Sequence, residues 1–182
     1  MDNRGFTLVE VLAVIVIIGV VSGIAAPGVL SLINTSKNKS YDIMIDDIRV
    51  ASEKMYEEVE FLGVSNGNDI IVEEIALYNM GGKDTDSVKI NIASKVMEIN
   101  LQTLVGNGFL TGSSNDGSGS NENKRVIKEP RNNEDIGDCV INITKVVNEV
   151  NNKVCYKIES HEDNANKCPS TDLFGGNSQC TS

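Results

Sequence analysis

The chain contains no tryptophan, one histidine (His161), three prolines and few aromatic residues of any kind, 4% of the total. Without aromatic platforms, a surface that stacks on bases or sugars is hard to build. One histidine leaves no strong Ser/His or Cys/His pairing, and no Walker or dinucleotide-binding glycine loop is present. No catalytic constellation emerges, and the chain reads as a non-enzyme. Positive charge is also short: 16 basic residues stand against 26 acidic ones, a formal net charge of −10. An acidic surface of this kind is soluble and repels polyphosphate, which excludes nucleic-acid binding by the bulk of the head.

What the chain does have is a long apolar run. Val11 to Ile33 carries no charged residue and, at 1.5 Å per residue, would reach about 34 Å as a helix, enough to span a bilayer. An ordinary secretory signal does not fit. The leader Met1 to Gly5 is too short and carries Asp2 beside Arg4, and no Ala-x-Ala-like site follows the run; Ile24-Ala25-Ala26-Pro27 is the nearest approach. Arg4 favours a cytoplasmic amino terminus, placing the rest of the chain across the membrane. At the mouth of the run sits one carboxylate, Glu10. It could be a snorkelling side chain or a topological marker, but an ionisable group entering lipid is costly and marks a candidate functional residue.

The heptad Arg4-Gly5-Phe6-Thr7-Leu8-Val9-Glu10, running into that apolar stretch, resembles the class III signal of type IV pilins and pseudopilins. The resemblance implies that a prepilin peptidase cuts after Gly5 and N-methylates the new first residue, Phe6. It also implies that Glu10 pairs with the amino-terminal amine of a neighbouring subunit. Cleavage would leave 15 basic and 25 acidic residues, so the net charge would stay at −10. A second passage, Leu101 to Leu110, resembles the "leucine-valine, then glycine-aromatic-leucine" run that precedes the sheet in many members. There this chain departs from the pattern: a Gly-, Ser- and Asn-rich stretch from Thr111 to Asn123 reads as a flexible loop before Pro130.

Beyond Lys37 and Lys39 the pattern turns amphipathic. Tyr41, Met44, Ile45, Ile48, Ser52, Met55, Val59 and Leu62 recur at three- and four-residue steps among acidic residues, predicting a helix that buries one stripe. No break stronger than Pro27-Gly28 separates it from the apolar run, so one helix from Phe6 to Leu62 is expected. Gly63 would cap it and Ser65-Asn66-Gly67-Asn68 would turn the chain. Within the apolar half, Gly19 and Gly23 have the spacing that lets membrane helices approach closely. Pro27, beside Gly28, should loosen the helix. In the family this part of the helix can melt within the filament, which would make the filament extensible.

Ile70 to Met80 is ambiguous between strand and short helix. Val88 to Val105 reads as a second helix, with Val88, Ile92, Val96, Ile99 and Leu104 on one side. A hairpin is the clearest sheet signal: Ile141, Ile143 and Val147 alternate on one strand and Val154, Tyr156 and Ile158 on the other. A turn at Asn151-Asn152 would set Val147 opposite Tyr156.

Four cysteines, Cys139, Cys155, Cys168 and Cys180, cluster in the last quarter of an exported domain and read first as disulfides. By strand parity Cys139 faces inward with Ile141 and Cys155 faces outward. The two should therefore not bond to each other, each pairing instead with Cys168 or Cys180. The rival is zinc held by Cys155, His161 and Cys168, but no tight CxxC pair exists. A calcium site at Asn133-Glu134-Asp135 with Asp138 is a further candidate. No EF-hand loop fits, because its twelfth position would fall on Asn123 or Arg125.

The expected organisation is a leader at 1–5, an apolar half-helix at 6–33, an amphipathic half at 34–62 and a head at 63–182. The fold class is α+β, a long amino-terminal helix packed on an antiparallel sheet. The resemblance implies a single-pass precursor that polymerises into a surface filament with copies of itself and other pilins. Its other partners would be the peptidase, a membrane assembly platform with its ATPase, and lipid before assembly. Adhesion, surface motility or biofilm formation would be the role. Major pilin, minor pilin, and pseudopilin of secretion or DNA uptake remain alternatives, as does a membrane-tethered ligand-binding ectodomain that never polymerises.

Overall fold

A computed structural model describes residues 7–79, 82–114, 125–148, 151–161 and 168, apart from the side chains at 24–27, 79, 82–85, 113–114 and 125. The architecture is α+β. The chain runs α1 (Leu8–Leu62), β1 (Val64–Asn66), β2 (Asp69–Asn79), β3 (Gly82–Asn91), β4 (Val96–Asn100) and α2 (Leu101–Gly106). It continues through β5 (Ser113–Ser114), β6 (Arg125–Val126), β7 (Val140–Val147) and β8 (Val154–Ser160). Six strands form one antiparallel sheet in the order β1-β2-β3-β4-β7-β8, and β5 pairs with β6 apart from it.

Helix α1 crosses two compact units, Met1–Ser40 and Tyr41–Ser182. In the first, fifteen large apolar residues between Leu8 and Ile33 are 46–82% exposed. Among the described residues no single helix is long and apolar enough to cross a membrane. Leu8–Gly23 and Gly28–Leu62, meeting at 42°, pass that test of length and composition together. The interval between them holds Pro27, where the missing amide predicts a break, so the expected span Val11 to Ile33 is divided rather than straight.

In the second unit the amphipathic stripe is buried as its spacing requires. Ile48, Ala51, Met55, Tyr56 and Val59 share one core with Val72, Val88, Ile90, Met97, Ile99, Ile141, Ile143 and Ile158 of the sheet. Leu62, expected in the stripe, is half exposed at the last residue of the helix, two residues before β1 begins. Gly63 is needed for room: a Cβ there would lie 2.2 Å from Ile70 Cγ2 and 2.4 Å from the Val59 carbonyl oxygen. Gly67, at φ +63, turns β1 into β2 within the expected Ser65-Asn66-Gly67-Asn68 stretch, where Gly67 and Asn68 form the two-residue loop between Asn66 and Asp69.

Polar contacts fix the helix to the sheet near its end. The Tyr56 hydroxyl donates to the Lys95 carbonyl at 3.0 Å, and its ring lies 5.3 Å from that of Tyr156. The Tyr156 hydroxyl donates to Glu57 Oε1 at 3.3 Å, and Lys145 Nζ pairs with Glu60 at 2.5 Å. Burial, reinforced by the Glu60 charge, pushes the Tyr56 hydroxyl up to about 12.

Two expectations fail. Val88 to Val105 is not a helix but β3, β4 and the short α2. Val88 and Ile90 are buried on β3, and Met97 and Ile99 on β4, a period of two that shares Val88 and Ile99 with the four-residue pattern. The turn is made by Asn91 Oδ1, which accepts from the Ser94 amide and hydroxyl at 3.0 Å each, and by Lys95 at φ 55. The hairpin register also differs: Val147 faces Val154, and Tyr156 faces Lys145. The Asn148 amide closes the ladder on the Lys153 carbonyl at 2.9 Å, so the loop is longer than the Asn151-Asn152 turn. Ile70 to Met80, left open between strand and helix, is strand β2 as far as Asn79.

The Leu101 to Leu110 passage protects the far part of β2, which runs beyond β1. Asn107 Nδ2 donates to the Ala76 carbonyl at 2.8 Å, and Thr103 Oγ1 bonds both the Tyr78 amide (3.1 Å) and its carbonyl (3.2 Å). Gly106 lies against Tyr78, whose ring carbons would be 2.3–2.6 Å from an added Cβ. Gly106→Ala should therefore lower head stability by about 1–3 kcal/mol in urea denaturation. An unchanged midpoint would show that the ring can move aside.

Candidate functional site

Gly5 and Phe6, where cleavage and methylation are expected, lie outside the described residues. The first described position, Thr7, immediately precedes helix α1, and the geometry there is a capping box. Glu10 Oε2 accepts from the Thr7 amide at 2.9 Å and from the Thr7 hydroxyl at 2.9 Å, while the Glu10 amide donates back to Thr7 Oγ1 at 3.3 Å. Two orphan amides at the helix start are satisfied in this way. Sequence reasoning singled out Glu10 and missed Thr7, although Thr-x-x-Glu before an apolar run is the signature of this motif. Both contacts from Thr7 to the carboxylate fall on one oxygen, Oε2.

Downstream, Gly19, Gly23 and Gly28 have nothing within 4 Å of an added Cβ. Among the described residues, therefore, nothing demands glycine at these three positions. The side chain of Pro27 is not among those described.

At the other end of the chain, Cys139 is joined to Cys168 across a sequence separation of 29 residues. Cys155, expected to face outward, is also disulfide-bonded and is 7% exposed on β8 opposite Val146, outside the core cluster that includes Cys139. Cys180 lies outside the described residues. A disulfide sulfur offers no thiolate to a metal, which removes the zinc set of Cys155, His161 and Cys168. His161 instead donates its amide to the Val140 carbonyl at 2.9 Å and lies 3.7 Å from Glu98. The calcium candidate is not assembled either. Asp135 Oδ1 accepts from the Gly137 amide at 2.9 Å and Glu134 Oε2 from Asn132 Nδ2 at 2.8 Å, and no metal-holding group of three or more such residues occurs among the described residues.

Residues 1–26 match the prokaryotic N-terminal methylation motif, the class III prepilin signal of type IV pilins and pseudopilins. The match covers the amino terminus alone, and it supports a type IV pilin or pseudopilin precursor. No curated protein and no solved structure matches the chain.

Proposed function

We propose that the chain is a structural subunit of a type IV pilus-like surface filament, cleaved after Gly5, N-methylated at Phe6 and polymerised through helix α1. The observation that carries this reading is the exposed apolar half-helix standing behind a methylation motif. Fifteen large apolar side chains lie uncovered between Leu8 and Ile33. At about 1 kcal/mol for each of these partly exposed side chains, leaving them in water would cost on the order of 15 kcal/mol. That matches or exceeds the whole stability of a typical domain, about 5–15 kcal/mol. Lipid covers them in the precursor and neighbouring helices cover them in the filament, the change of surroundings an assembly platform and its ATPase would drive. Glycines with open space at 19, 23 and 28 suit close approach of a second helix.

In this mechanism the capping box orients Glu10, and its carboxylate receives the ammonium that cleavage creates on an adjacent subunit. Each charge compensates the other where neither is solvated. Adhesion, surface motility or biofilm formation would follow from display on the cell surface. Intact mass and amino-terminal sequencing of the native protein test the reading. A chain beginning at methylated Phe6 is expected; an uncut Met1 terminus would instead make the chain a membrane-tethered ectodomain.

A further inference from the structure

Burial on α1 begins at Tyr41: Ser36 to Ser40 are exposed, Tyr41 is half-buried and Ile45 is buried. The Arg131 guanidinium sits 3.6 Å from the centre of the Tyr41 ring. It is held there by an ion pair with Glu129, whose side chain is only 6% exposed. A carboxylate that dry is costly unless paired, so Glu129 and Arg131 are bound to one geometry. The loop carrying them is closed on itself. The Glu129 amide donates to the Glu134 carbonyl at 2.9 Å, the Asn133 amide to the Glu129 carbonyl at 2.8 Å, and the Ile136 amide to the Ile127 carbonyl at 2.9 Å. Its far end is tied down as well: the Cys139 amide donates to the Ile136 carbonyl at 3.0 Å, and Cys139 is bonded to Cys168.

From this arrangement we propose that Arg131, seated by Glu129, is a staple that stops the end-on opening of helix α1 at Tyr41. Helices open from exposed ends inward, and a stretch without buried contacts opens most readily. The ring of Tyr41 is the first half-buried group such an opening meets. A guanidinium over that ring resists its release, more so where water is partly excluded. The disulfide-tied loop then spreads the load into the head, so that Ile45, Ile48 and the sheet beneath them stay packed. Arg131 is a positioning residue for the helix, and the device operates whether or not the chain forms a filament.

Amide hydrogen exchange on the full chain in detergent micelles tests the staple. Two variants are needed, Tyr41→Ala and Arg131→Ala combined with Glu129→Gln, the second avoiding an unpaired buried carboxylate. In both, amides from Tyr41 to Ile45 should exchange roughly three- to tenfold faster, while those from Ile48 to Val59 keep their wild-type rates. Lys145→Ala, which removes the ion pair with Glu60 near the other end of the helix, should leave Tyr41 to Ile45 unchanged. Unchanged rates at Tyr41 to Ile45 in both variants overturn the proposal. Equal acceleration through Val59 overturns it too, because the contact would then be ordinary head stability. If Tyr41→Ala fails to fold, the paired variant gives the same reading alone.

Discussion

Glu10→Gln is expected to leave a precursor that is still inserted and cut after Gly5, and to lower filament yield at least about a hundredfold, the scale set by stranding an unpaired charge in a low-dielectric core. Glutamine is the informative choice because of the capping box. A Gln at the third helical position can accept from the Thr7 amide as Glu10 does, so the helix start survives while the charge is lost. Glu10→Ala removes both, and Thr7→Val removes the capping hydroxyl while the carboxylate remains. Charge pairing predicts that Gln and Ala fail alike and that Thr7→Val assembles. If Gln assembles normally and Ala does not, helix capping is the function of Glu10 and pairing with a neighbour's amine is wrong. Intact mass of the membrane fraction reports cleavage, and electron microscopy of sheared material reports assembly.

How much was legible in the sequence follows from the range of the forces involved. The helix through Leu62 could be read because its signals are local: an uninterrupted apolar run, then a stripe at helical steps that Ile48, Met55 and Val59 fill. Glu10 stood out because an ionisable group at the edge of such a run is costly, which favours a functional role over a snorkelling side chain or a topological marker. The segment from Val88 to Val105 was misread because β-branched residues spaced four apart satisfy both periods. What decided between them was tertiary, the pairing of Ile90 with Met97 and of Ile99 with Ile141. The hairpin slipped because Asn148 and Lys153, not the Asn-Asn pair, close its ladder. Arg131 over Tyr41 was invisible for the same reason: an aromatic and a cation far apart in sequence carry no local mark of their meeting. Cysteine parity narrowed the connectivities without choosing one, since the choice depends on where the chain after β8 returns.

That return makes the Cys139–Cys168 bond the second large expected effect. Cys139 is fully buried, its carbonyl accepts from the Leu101 amide at 2.9 Å, and it precedes β7 directly. It is where α2, the Glu129 loop and the central sheet meet. Cross-linking across 29 residues removes chain entropy from the unfolded state worth about 3–4 kcal/mol in the loop-closure account. Cys139→Ser and Cys168→Ser should each forfeit that amount, and Cys139→Ser should be worse because a hydroxyl replaces a buried sulfur. The midpoint of head unfolding in the full chain should fall by roughly 10 °C or more, a large share of what a domain of this size holds in reserve. The double substitution Cys139→Ala/Cys168→Ala separates the cross-link from the chemistry of a stranded thiol. It should match Cys168→Ser to within about 1 kcal/mol, because entropy of the open loop is common to both. Reductant is the poorer probe, since it would open the disulfide of Cys155 as well. A fall of less than about 2 °C in the double variant would mean that the unfolded chain is already confined near Cys139, so that the bond records proximity and adds little to stability.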